Sequence, residues 1–213
     1  MSEFIIFLIK SSFGMTVNGF DDPVVELSLQ KTIKDIKYHY PQRDRDEIIV
    51  AIKSNKTELI IFLYRLGREL FKLNAATKQL DLIHGLMRKL GGCEIYFSTE
   101  IDEGFYIVHG VGSVIGSRTK IGKGLIIYHN CTIGHFKDFE GGAVIGDNVS
   151  MFPGSMILGE LKIGDEVVIG ANSTLIHDAP NRSVCVGNPA KIINSNGHLE
   201  NSKIRYNYIP LNK

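Results

Sequence analysis

A large apolar residue recurs at every sixth position through much of this 213-residue chain. It stands at Ile95, Ile101 and Ile107, at Ile115, Ile121, Ile127 and Ile133, and at Ile145, Met151, Ile157, Ile163, Ile169 and Leu175. Glycine often follows directly, as at Gly116, Gly122, Gly134, Gly146, Gly164 and Gly170. A period of six suits neither an amphipathic helix nor a half-buried alternating strand. Periodicity of this kind outranks local propensity as a guide to fold. The pattern predicts a triangular coil of short parallel strands, one hexad to a face. The apolar residue points inward and a small residue takes the corner.

Upstream of the repeat the pattern is helical. Asp22 and Pro23 read as an N-cap and a first-turn proline. Val25, Leu29, Ile33 and Ile36 follow at helical spacing until Pro41. A short helix is expected over Asp46–Lys53. Asn55 with Glu58 resembles a capping box ahead of an apolar run that continues to about Leu73. A further helix is expected from Thr77 to Leu90, stopped by Gly91 and Gly92. The chain therefore divides into a helical N-terminal domain over 1–91, a coil over 92–193, and a tail over 194–213 rich in Asn and Ser.

Charge and cysteine usage remove several classes. Lys and Arg number 24 against 23 Asp and Glu, a net charge of +1. Nothing there argues for nucleic acid or an acidic membrane surface. The apolar run Phe4–Ile9 is far shorter than the ~20 residues a membrane-spanning helix needs. It also lacks the basic flank and length of a signal segment. The three cysteines, Cys93, Cys131 and Cys185, are scattered and form no Cys-x-x-Cys pair. A disulfide framework or zinc knuckle is not expected, and a cytoplasmic location is.

The phase of the repeat places its polar residues. Let the faces be a, b and c, with Ile95, Ile101 and Ile107 on them in turn. His109 follows the c-face Ile107 by two positions, and His129 follows Ile127 likewise. Both fall at the c/a corner, one coil apart, where successive strands are ~4.8 Å apart. Glu94, just before Ile95, belongs to that corner too. A histidine oriented by a carboxylate is a general base. A lone corner histidine reads as a solvated edge; Glu94, His109 and His129 in one column point to catalysis.

The repeat is broken twice. Two extra residues enter within His109–Gly112, and twelve residues separate Ile133 from Ile145. His135–Gly142 is read as a loop thrown out from the coil, the alternative being a further hexad with Phe139 inside. His135 falls on a different face from His129. His39, His84, His177 and His198 read as ordinary helix, coil or surface residues.

Two stretches carry a resemblance. Val108-His109-Gly110-Val111-Gly112-Ser113-Val114-Ile115-Gly116 is similar to the segment around the catalytic histidine of serine acetyltransferases, including the two-residue insertion. Val186-Gly187-Asn188-Pro189-Ala190-Lys191 is similar to the closing signature of the same hexapeptide-repeat acyltransferases. The resemblance covers about residues 93–193. It implies a left-handed parallel β-helix, acetyl-CoA as co-substrate with no metal, and a homotrimer that could pair into a dimer of trimers. By resemblance His109 is the base that deprotonates an acceptor hydroxyl for direct attack on the thioester. Glu94 stands where the family has an aspartate. Gly134, Pro153, Gly170 and Ala171 would let the pantetheine arm approach a groove between coils, and Lys191 would meet a phosphate.

Departures bear on the acceptor. The family's acidic residue before the catalytic histidine is Val108 here. Its Arg-His pair at the end of the long loop is replaced by Glu140-Gly141-Gly142-Ala143. Without that arginine a serine carboxylate loses a charge-assisted contact. Tyr128-His129-Asn130-Cys131-Thr132-Ile133-Gly134-His135 resembles sugar-modifying acyltransferases, in some of which a histidine at such a position is the base. A saccharide hydroxyl of a surface polysaccharide or its precursor is therefore the expected acceptor, with L-serine as the alternative. A zinc enzyme of the γ-carbonic anhydrase type, needing three converging histidines, and a non-catalytic scaffold are further alternatives.

Overall fold

The computed structural model describes residues 1–17, 20–135 and 141–194. The hexads form a coil of parallel strands wound on three faces. Face a stacks β1 (Glu94–Ile95), β4 (Val114–Ile115), β7 (Thr132–Gly134), β10 (Met156–Leu158) and β13 (Thr174–Leu175). Face b stacks β2 (Glu100–Ile101), β5 (Lys120–Ile121), β8 (Val144–Ile145) and β11 (Lys162–Ile163). Face c stacks β3 (Tyr106–Ile107), β6 (Ile126–Ile127), β9 (Ser150–Met151) and β12 (Val168–Ile169). It ends in a hairpin of β14 (Val184–Gly187) and β15 (Ala190–Asn194), antiparallel to each other. The predicted parallel β-helix behind a helical N-terminal region is thus the observed architecture.

The repeat residues are the axis of the coil. Ile95, Ile115, Ile133, Ile157 and Leu175 stack in register on face a, all buried. Burying one such side chain contributes about 1.5–3 kcal/mol, so a stack of them outweighs the poor propensity of two-residue strands. Between strands the chain turns through left-handed residues, among them Asn130, Asn148 and Asn172. Asparagine tolerates that region better than most residues because its short side chain bonds locally. Glycines after the inward residue serve another need. A Cβ on Gly146 would come within 2.8 Å of the Gly164 carbonyl carbon, so the coils approach too closely there for a side chain. Ile145 pairs with Ile121 on face b, so the twelve-residue interval returns the chain to the next face. Residues 136–140 of the expected loop, Phe139 among them, lie outside the described residues, as does the tail beyond Asn194.

Five helices precede the coil: α1 (Ser2–Phe13), α2 (Asp22–His39), α3 (Arg45–Ser54), α4 (Lys56–Lys72) and α5 (Thr77–Leu86), the last running into a π-helical turn, Met87–Gly91. Asp21, not Asp22, is the N-cap of α2. The capping box forms at α3, where Asp44 and Glu47 bond each other's backbone N–H. Asn55 caps α4 by accepting from Thr57, but Glu58 does not reciprocate. Its carboxylate is buried and meets Arg43 at 2.8 Å, a tertiary partner that outcompetes the local cap.

Helix α4 closes the first coil. Strand β2 is the last of face b, and its upper backbone groups would be bare. Arg65 donates to the carbonyls of Ile101 and Asp102, both at 2.7 Å. Its other N–H groups grip Asp35 of α2 at 2.7 Å each. Asp35 in turn accepts from Gly104 N at 2.8 Å. The Tyr64 hydroxyl donates to Thr99 O at 2.9 Å and accepts from Ile101 N at 3.2 Å. The helix can lie this close because Gly67 faces Phe97: a Cβ there would fall 2.1 Å from the ring. One hydrophobic core consequently runs from Ile61 and Phe62 into Ile95 and Phe105 without a break.

Candidate active site

The c/a corner is built by a ladder of backbone bonds across coils. Asn130 N donates to Val111 O at 2.8 Å, Gly154 N to His129 O at 3.0 Å, and Asn172 N to Pro153 O at 2.9 Å. Val111, His129 and Pro153 thus occupy equivalent places on successive coils, with Gly170 and Ala171 on the next. The two extra residues push His109 out of this ladder. They form a tight bulge in which Val111 N donates to His109 O at 2.8 Å and Ser113 N to Gly110 O at 3.0 Å. His109 itself has φ 67, a strained setting for a histidine. Gly112 at φ 74 completes the bulge, and a Cβ there would fall 2.1 Å from Asn130 Oδ1.

His109 is exposed on the bulge and His129 is half-buried beneath it. Their ring centroids are 6.0 Å apart at an interplanar angle of 54°. His129 Nδ1 is sealed from solvent with no hydrogen-bond partner among the described residues. The expected imidazole column is therefore present, and one of its rings holds an unused polar atom.

Glu94 lies at the same end of the coil, but its carboxylate is not bonded to His109. Glu94 N donates to Ser113 O at 2.9 Å, and Gly112 N donates to Gly92 O at 2.8 Å, tying the bulge to the start of β1. The side chain turns the other way, with Oε1 3.4 Å from His84 Nε2. Hexad counting places residues of the coil relative to one another and is blind to a helix packed beside it. His84, on α5, stands against the rings of Tyr96 and Phe97, with centroids 5.6 and 5.1 Å away. It is not the ordinary helix histidine expected, and no spacing in the sequence ties it to Glu94.

Burial pulls the His84 imidazole below its ordinary value of 6.5, against the raising influence of Glu94. The unfolded chain then binds the extra proton first as pH falls. Stability contributed by neutral His84 is present above about 6.5 and is lost below it, down to the lowered folded value. His84→Phe should flatten this dependence, so thermal melts at pH 7.5 and 5.5 should differ less for the variant than for the parent chain. Equal differences would remove the role assigned to His84.

The other candidates are split between corners. Pro153, Gly170 and Ala171 share the histidine corner. Gly134 ends β7 on the far side of face a, where its carbonyl accepts from Gly159 N at 2.9 Å. Lys191 is exposed on β15, opposite Val186. His135 lies within 3.5 Å of Ser117 Oγ and 3.1 Å of Arg118, at the a/b corner and away from His109 and His129. Among the described residues no three His, Cys, Asp or Glu are grouped to hold a metal. A cleft of about 770 Å³ opens between α2, α4 and face b, lined by Lys31, Lys34, Arg68 and Lys120 among others. It is not at the histidine corner, which in a single chain is an open ledge. Among the described residues no helix is long and apolar enough to cross a membrane.

The fold is a parallel β-helix of hexapeptide repeats, and the six-repeat bacterial transferase hexapeptide family model matches residues 142–177. Within that class the similarities run to serine acetyltransferases. The serine acetyltransferase of Helicobacter pylori is 40% identical over 110 residues, 51% of this chain and 64% of that protein. That of Staphylococcus epidermidis is 34% identical over 139 residues, 64% of this chain and 65% of that protein. The chain thus spans a little under two thirds of the length of these relatives. Soybean serine acetyltransferase complexed with serine superposes with a TM-score of 0.68 at 25% identity, over 81% of this chain and 70% of that one. Brucella abortus serine acetyltransferase in complex with coenzyme A has the same fold, with a TM-score of 0.69 at 20% identity over 91% and 73%.

Proposed function

We propose that this protein is an acetyl-CoA-dependent O-acetyltransferase whose acceptor is L-serine. The observation that carries the proposal is the His109–His129 corner, in a chain 40% identical over 110 residues to a serine acetyltransferase. The saccharide acceptor expected from Val108 and from Glu140–Ala143 finds no support among these relatives. The names of the relatives, and the serine complex of one solved neighbour, favour the amino acid instead.

In the proposed reaction His109 takes the hydroxyl proton of serine as the oxygen attacks the thioester carbonyl. The tetrahedral intermediate collapses, the C–S bond breaks, and the leaving thiolate recovers the proton from the imidazolium. The products are O-acetylserine and CoA. The bulge suits this role because it lifts the ring clear of the corner ladder. Pro153, Gly170 and Ala171 continue the ledge along which the pantetheine arm would lie, and Lys191 would meet a phosphate. An open ledge is completed by a neighbouring subunit in the proposed homotrimer.

Purified protein with acetyl-CoA should release free thiol when L-serine is added and yield O-acetylserine by mass spectrometry. Thiol release with nucleotide sugars or oligosaccharides and none with serine would overturn the acceptor assignment.

A further inference from the structure

We propose that His129 is the oxyanion donor of the corner, its Nε2–H meeting the thioester carbonyl oxygen while His109 deprotonates the acceptor. The inference rests on the acetyltransferase reading above, and it holds for either acceptor because the thioester is common to both. Negative charge developing on that oxygen needs a donor already aimed at it. The corner's backbone is largely spent on the bulge and the ladder. The N–H groups of Val111, Gly112, Ser113, Asn130 and Gly154 all donate to carbonyls of the chain, and Cys131 N donates to Ser113 Oγ at 3.2 Å. Pro153, on the next coil, has no N–H to offer. The His129 ring is differently placed. Of its two nitrogens only Nδ1 is sealed from solvent, and Nδ1 has no hydrogen-bond partner among the described residues. A neutral imidazole carries one proton, which makes one nitrogen a donor and the other an acceptor. A proton on Nδ1 would be a buried donor with nothing to receive it, so the neutral ring carries its proton on Nε2. That leaves an N–H on the accessible side of the ring, toward the open ledge. The ring centroids of His109 and His129 are 6.0 Å apart. This separation lets one tetrahedral carbon present an oxygen to each ring at about 3 Å, the incoming hydroxyl to His109 and the carbonyl oxygen to His129. As the new C–O bond forms, the carbonyl π pair moves onto the oxygen that Nε2–H holds. When the pair returns, the C–S bond breaks and the thiolate takes its proton from His109. His129 keeps its own proton throughout.

The test uses His129→Phe, which keeps a ring without a donor, and His129→Gln, which keeps a donor that cannot take up a proton. His129→Phe should lower kcat by about 10²–10³-fold, the loss that follows removal of one oxyanion donor, with little change in KM for either substrate. His129→Gln should recover most of that loss, and the acidic limb of the kcat/KM profile, set by His109, should persist in both variants. Equal losses in the two variants, or disappearance of the limb, would make His129 a base and overturn the proposal. So would an undiminished kcat in His129→Phe. Ring-nitrogen NMR of the isotope-labelled full chain gives a readout without turnover: neutral His129 should be the Nε2–H tautomer, and an Nδ1–H signal would overturn the proposal whether or not any variant folds. Infrared spectra of carbonyl-labelled acetyl-CoA bound to the protein should show a lower C=O stretch in the parent chain than in His129→Phe, and equal frequencies would count against the donor. If the parent chain binds acetyl-CoA but transfers acetyl to no acceptor, the functional reading fails by itself, and the tautomer and the infrared shift still decide the role of His129.

Discussion

Replacing His109 by Asn should lower kcat/KM for acetyl transfer to L-serine by about 10²–10⁴-fold, the range spanned by general-base catalysis. Asparagine is the informative choice because the position has φ 67, which asparagine tolerates and most residues do not. The bulge should survive, since its internal bonds run through the backbone of His109, Gly110, Val111 and Ser113. Binding of acetyl-CoA, followed by calorimetry, should change little while single-turnover acetyl transfer slows. His129→Asn is the control that separates the two rings. A larger loss there than at His109 would transfer the base to His129. Wild-type rates in both variants would leave the corner without catalytic function.

Asp35→Ala should destabilise the chain by about 3–5 kcal/mol, the cost of leaving a buried partner charge uncompensated. At this chain length each kcal/mol moves Tm by about 2–4 °C, so a fall of roughly 10 °C is expected in a thermal melt followed by circular dichroism. Arg65 would lose both contacts to the carboxylate, and Gly104 N would lose its acceptor. An ordinary buried ion pair can often be replaced by two apolar residues at little cost. Here that rescue should fail, because Arg65 also satisfies the carbonyls of Ile101 and Asp102. The double change Asp35→Leu with Arg65→Met should therefore remain well below the parent Tm. Recovery to within about 2 °C of the parent would mean the guanidinium does not serve the edge of the coil.

The coil was legible because its information is local and redundant. Each hexad repeats the same instruction, so Ile107 and Ile127 determine the corner of His109 and His129 however the rest of the molecule packs. What escaped depends on single contacts between elements far apart in sequence. Glu58 read as a capping partner for Asn55, and Arg43 claims it instead. Glu94 read as the partner of His109 because both belong to the coil, and its carboxylate lies 3.4 Å from a histidine on a helix outside the repeat. Arg65 is nearly fully buried within an apolar run, yet a charged residue there has no pattern of its own. A periodic scaffold discloses where its side chains stand. Which of two eligible neighbours a charged group chooses is a matter of tertiary distance.

Arg65 and Tyr64 also have a consequence for how this molecule meets copies of itself. A stack of parallel strands with a bare terminal rung is a template on which another such stack can continue, as happens in fibrils. Here the rung at β2 is occupied by side chains from a helix, which offer no further ladder. End-on growth at that rung is blocked, and association is directed to the flanks. A variant that loosens α4 would therefore forfeit more than folding free energy: it would uncover a site of indefinite self-addition.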